Sequence, residues 1–226
     1  MIHSGIITDI ALTLLLVAIL FQLGWLADKL FLRGAPASTL RMSQPPLLAI
    51  WVLLWPVYTE PDWIMAGTLL IALPLLLIKV LNGEFWKRLS DIWSEQPFGL
   101  WPTILFVVAI GLCSFIFRTT PEYGLGIALS LILGNSIAGL ADRIFRYRLQ
   151  FRLHPEQTLA GHLLLIVATT LACGWSIRFH HHIAWEQVLI ATTLVGIIAS
   201  ITRAITPKLF AAPAMVSTMY ATLYFL

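Results

Sequence analysis

The sequence predicts an all-α fold: a polytopic membrane bundle of about eight spans, organised as one integral membrane domain over residues 1–226. Three observations carry that prediction. The chain is 59% hydrophobic and 11% charged, with a mean hydropathy of +0.87, far from the composition of soluble globular domains. Apolar runs of bilayer-crossing length recur from one end to the other. The few charges sit at the ends of those runs, so the net charge of +3 and pI of about 9.1 do not point to nucleic-acid binding.

In chain order, residues 6–26 make the first span. No Lys or Arg precedes it, and the run is too long for a signal-peptide core, so a retained helix is expected. A polar stretch over 28–44 carries Lys29, Arg33 and Arg41. Pro45 opens a second span to about residue 58, too short to cross upright and expected to be broken or interfacial. The acidic turn 59–62 leads to a third span over 63–81, interrupted by Pro74. Over 82–99, aromatic residues alternate with Glu84, Lys87, Arg88, Asp91 and Glu95, the pattern of a helix lying at the interface. Spans four to eight follow at 100–117, 124–141, 159–175, 184–201 and 209–226.

Of the 14 Lys and Arg, all but Arg118 and Arg178 fall in the first, third, fifth and seventh connections. That asymmetry predicts cytoplasmic odd loops and both termini outside. Short loops and small size fit a bacterial inner membrane. The outer side then receives His180, His181 and His182, expected to be a solvated or interfacial cluster, because three adjacent residues cannot converge on one ion. Cys113 and Cys173 lie in apolar runs and read as small buried side chains.

The most informative stretch is 126–161. Gly126, Ser130, Gly134 and Ala138 recur every fourth residue, which puts them on one helix face where a partner backbone can approach. Such faces, and Ala214, Thr218 and Thr222 in the last span, also offer contacts for a membrane protein partner. Asn135 and Ser136 sit deep in the same helix, and Asp142 marks its exit from the lipid. The expected role of Asp142 is charge compensation for Arg143 or Arg146. A basic loop follows with Arg148 and Arg152, and a new helix opens at Pro155-Glu156-Gln157-Thr158. Arginines beside a helix N-terminus are an arrangement that suits an anion.

Those residues carry a resemblance. Gly134, Asn135, Ala138, Asp142, Arg143 and Phe145, then Gln157, Thr158, Ala160 and Gly161, resemble the paired motifs of the phytol kinase and dolichol kinase family, related to CDP-diacylglycerol synthases. The likeness covers about residues 82–226, including Pro97-Phe98-Gly99 and Pro213. It implies CTP-dependent phosphoryl transfer to a prenol, polyprenol or diacylglycerol-type lipid, with Mg²⁺ and CTP as cofactors. Asn135, Asp142 and Arg143 would be catalytic; Arg146, Arg148, Arg152, Gln157, Thr158 and Gly161 would hold the nucleotide phosphates. No metal ligands can be assigned. Where family members carry the motif aspartate, this chain has Asn135, and their motif lysine is Gln157. An acid of the seventh span corresponds to Arg203, and an Asp-Asn pair to about Lys208-Leu209. Such substitutions turn a site that would attract Mg²⁺ into one that repels it. Two expectations follow: a lipid-alcohol kinase, or a non-catalytic relative that binds lipid or scaffolds a membrane complex.

Overall fold

The computed structural model describes residues 2–43, 45–78, 80–81, 83–94, 97–145 and 157–226, and its regular elements there are helices. Five helices have the length and apolar character of a membrane crossing. The chain is a helical membrane protein. The first crossing, α1 (Ile2–Leu32), outruns its expected 6–26 at both ends. The extension carries Asp28, 6% exposed, which accepts from Arg88 Nε at 2.5 Å. That bond, reinforced by the charge of Asp28, pushes the Arg88 guanidinium still higher in pKa.

After α2 (Ala37–Ser43), the short second span is indeed broken: α3 (Pro45–Leu53) gives way to a 3₁₀ turn at Trp55–Val57. Helix α4 (Pro61–Leu77) contains Pro74, which cannot donate to the carbonyl of residue 70. Helix α5 (Glu84–Trp93) is the amphipathic segment, with Leu89 and Ile92 buried and Glu84, Lys87 and Asp91 exposed. The remaining helices are α6 (Trp101–Thr119), α7 (Pro121–Leu129), α8 (Asn135–Phe145), α9 (Leu159–His181), α10 (Trp185–Ile205) and α11 (Ala211–Phe225). Pro sits in the first turn of α4, α6 and α7, where its missing N–H costs nothing.

Helices α7 and α8 form one crossing, joined by a π-helical turn over Ser130–Gly134. Its small-residue face meets α9. A β-carbon on Gly126 would lie 2.9 Å from Cys173 Cα, and one on Gly134 would lie 3.1 Å from a Leu165 methyl. Between them, the hydroxyls of Ser130 and Thr169 share a hydrogen bond of 2.6 Å. The close approach expected from the four-residue spacing is therefore real, and its partner is α9. On the last helix, the Thr218 hydroxyl bonds that of Thr202 on α10 at 3.1 Å.

One expectation changes at the end of α9. The histidine loop is helix as far as His181, and His182 closes it in the left-handed conformation at φ 53°. His180 Nδ1 bonds the Ser176 carbonyl, and His181 Nε2 stands 3.4 Å from Glu122, so each has a local structural partner.

Candidate functional site

Asp142 ties three elements together. It is the last acid of α8, 6% exposed, and its Oδ1 accepts from the Thr158 amide at 2.7 Å and the Thr158 hydroxyl at 2.9 Å. Its Oδ2 accepts from Arg203 Nη2 at 2.8 Å. Thr158 is the N-cap of α9, and its Oγ1 accepts in turn from the Gly161 amide. Gly161 has to be glycine: a β-carbon there would overlap the Asp142 carboxylate and come within 3.0 Å of the Ala138 carbonyl. Gln157 Nε2 adds a bond to the Arg203 carbonyl at 3.1 Å.

The chemistry of this knot differs from the expected one in a definable way. Asp142 compensates Arg203, and Arg143 is bonded elsewhere. The N-terminus of α9, an attractive place for an outside anion, faces the carboxylate of Asp142. Arg143 points elsewhere: its two terminal nitrogens donate to the hydroxyls of Thr39 and Ser38 on α2, each at 2.9 Å. Arg146, Arg148 and Arg152 lie outside the described residues, as does Glu95.

Beside the knot is a cavity of about 670 Å³, within the ~300–1,000 Å³ range of small-molecule sites. Most of its wall is apolar, built by α1, α4, α5 and α6 through residues such as Leu20, Phe21, Leu73, Phe85, Trp86 and Phe106. Phe21 and Leu73 are also exposed on the outside of the bundle, so the apolar part borders the lipid-facing surface. The other part is polar: Asn135, Ser136, Asp142 and Arg143 from α8, Gln157, Arg203 from α10, Arg41 from α2, and Lys208. Asn135 opens α8 immediately after the π turn, a place where such turns often mark functional positions. Asp91 is exposed on the outer face of α5.

Among the described residues lining the cavity, Asp142 is the one carboxylate, set against four cations. Arg41 donates to the Ser94 carbonyl and Arg143 to two hydroxyls, so these acceptors hold the guanidinium groups without cancelling their charge. Buried without a partner are Arg203 Nη1 and Gln157 Oε1. The described residues do not fit a Mg²⁺ ion: among them Asp142 is the one acid of the wall, already bonded by three donors, and a divalent cation would face Arg41, Arg143, Arg203 and Lys208. Among the described residues, no group of three or more His, Cys, Asp or Glu gathers at one place.

Of the expected site residues, Asn135, Asp142, Arg143 and Gln157 line the cavity, while Thr158 and Gly161 stand behind it as supports for Asp142. The reading of the sequence missed Arg203 as the partner of Asp142. Part of the signal was present: Arg203 and Asp142 both stand at the ends of apolar runs that the charge asymmetry puts on one membrane face, where they can pair. Arg41 and the aromatic pair Phe85–Trp86 were also missed, because nothing local connects them to residues a hundred positions later. No family model, curated protein or solved structure matches the chain.

Proposed function

We propose that this chain is a membrane-embedded relative of the CTP-dependent lipid-alcohol kinases that keeps a lipid cavity and binds an amphiphile there without metal-dependent phosphoryl transfer. The observation that carries this reading is the state of Asp142. Phosphoryl transfer needs carboxylates free to hold divalent metal against phosphate. Here Asp142, the one acid among the described residues of the cavity wall, is spent on Thr158 and Arg203. Apolar walls joined to a cationic end suit a molecule with a hydrocarbon tail and a polar head.

The reading includes eight crossings, with α3, α4 and α11 completing the five long helices and α5 lying at the interface, both termini outside, and the cationic end facing the cytoplasm of a bacterial inner membrane. The positive-inside asymmetry supports this orientation. Cysteine introduced at position 181 should label from outside, and at position 148 only after permeabilisation; the opposite pattern reverses the orientation.

The kinase alternative is tested directly. Purified protein in nanodiscs is given labelled CTP, Mg²⁺ and farnesol, undecaprenol or dioleoylglycerol. The expected result is no lipid phosphate above a protein-free control. Turnover that disappears in Asp142→Ala or Arg143→Ala would restore the enzyme reading.

A further inference from the structure

We propose that the seam between α1 and α4 is a lateral portal through which the cavity exchanges a lipid chain with the surrounding bilayer. The proposal rests on the reading of the cavity as an amphiphile site. It goes beyond that reading by fixing the source of the occupant and its route.

The two helices close on each other over one half of the seam only. Asp9 of α1 accepts from the amides of Thr59 and Glu60 and from the Thr59 hydroxyl, which fastens α1 to the start of α4. A β-carbon on Gly5 would lie 3.0 Å from that hydroxyl, so α1 is pressed against the same turn. Farther along, Gly67 makes room for the next contact. A β-carbon on it would stand 3.1 Å from a Leu16 methyl and 2.8 Å from the Trp51 ring, and Leu16 is fully buried.

Beyond Leu16 the seam parts. Val17, Leu20, Phe21 and Gly24 on α1 face the cavity, as do Leu70 and Leu73 on α4. Val17, Phe21 and Leu73 are at the same time exposed on the outside of the bundle, Phe21 at 74%. A side chain that is both cavity wall and outer surface stands at an opening. From Val17 to Gly24 that opening runs about 10 Å along the helix axis. Pro74 lines it too. Its ring crowds the carbonyl of residue 70 and offers that carbonyl no N–H, so α4 gives way most readily at this level.

Helix α5 forms the sill. A β-carbon on Gly24 would meet a Leu89 methyl at 3.9 Å, and the Arg88–Asp28 bond holds α5 to α1. A hydrocarbon chain that slips between Leu16 and α5 passes from lipid to apolar wall and strands no polar group. A route past α5 would instead part Arg88 from Asp28 and leave a buried carboxylate without its counter-charge. The head group need not cross the bundle, because the polar wall with Ser136 and Gln157 belongs to the same cavity.

The test uses the full chain carrying Phe21→Cys and Leu73→Cys, joined across the seam by a bis-methanethiosulfonate reagent that dithiothreitol reverses. Cys113 and Cys173 are fully buried and stay in place. The probes are oleyl alcohol, dioleoylglycerol and dioleoyl phosphatidylglycerol, counted on the protein by native mass spectrometry. Linking before loading should cut uptake about tenfold or more, and linking after loading should slow release into detergent by a similar factor. Reduction should restore both rates, and Phe21→Cys alone, given the same reagent, should exchange like the unaltered chain. Val17→Trp with Leu73→Trp fills the opening without a cross-link and should slow exchange in the same direction. Rates unchanged by the link and by the paired tryptophans would overturn the portal while leaving a lipid site standing. Exchange that persists through the link and quickens in Arg88→Gln would place the route past α5, and would overturn the seam. Binding of none of the three lipids would sink the amphiphile reading itself.

Discussion

The two ends of the bundle handle charge in opposite ways. At the end where α1 begins, acids are matched locally. Asp9, fully buried, accepts from the Thr59 amide at 2.8 Å, the Thr59 hydroxyl at 2.6 Å and the Glu60 amide at 3.2 Å, closing the start of α4. Asp62 meets Arg118 at 3.0 Å, and Glu122 meets His181. At the end where α8 stops, two acids are likewise buried against arginines, Asp28 with Arg88 and Asp142 with Arg203, but further cations remain around the cavity. Helix ends can be sealed by balanced pairs. Among the described residues, the apolar cavity at this second end is lined by more cations than acids, which is the feature the proposed ligand site rests on.

The contrast can be broken most severely at the knot. Arg203→Met should leave Asp142 buried without its counter-charge, at a cost of about 3–5 kcal/mol, seen as a large fall in the thermal midpoint in detergent. Next in size, Gly161→Ala forces a methyl against that carboxylate and should destabilise by about 2–3 kcal/mol. The same melting experiment at the opposite end should report less. Thr59→Val keeps the shape and the backbone amide but removes one donor to Asp9, for a loss of about 1.5 kcal/mol. Smallest is Arg118→Ala, whose partner Asp62 is also solvated; a change of about 0.5 kcal/mol or less is expected. If Arg118→Ala matched Arg203→Met, the two ends would not differ as described.

The segment 126–161 shows how far the sequence reaches. Its four-residue stripe foretold a close helix contact, because helix periodicity alone decides which side chains share a face. It did not foretell the π turn over Ser130–Gly134, which depends on how the widened turn is accommodated by its neighbours. The notion of an anion site at Thr158 contained the right chemistry in the wrong place: a carboxylate does sit on that N-cap, and it belongs to Asp142. The histidine run was read as a loop because polar residues after an apolar run resemble an exit from the membrane. Continuation of α9 to His181 brings that residue to Glu122, a partner no local pattern reveals.

By itself, the sequence determined what adds up along the chain. Apolar composition and run length settled a helical membrane protein, the amphipathic character of α5 followed from its alternating aromatics and charges, and the break after α3 fell near Pro56. Only the tertiary structure decided which charges are spent and which are left over. Asp142 and Arg203 stand 61 positions apart, and Arg41 reaches the same cavity from a separate helix. Hydropathy is a local sum, whereas an ion pair depends on the distance between side chains. That distance is fixed only when the helices have packed.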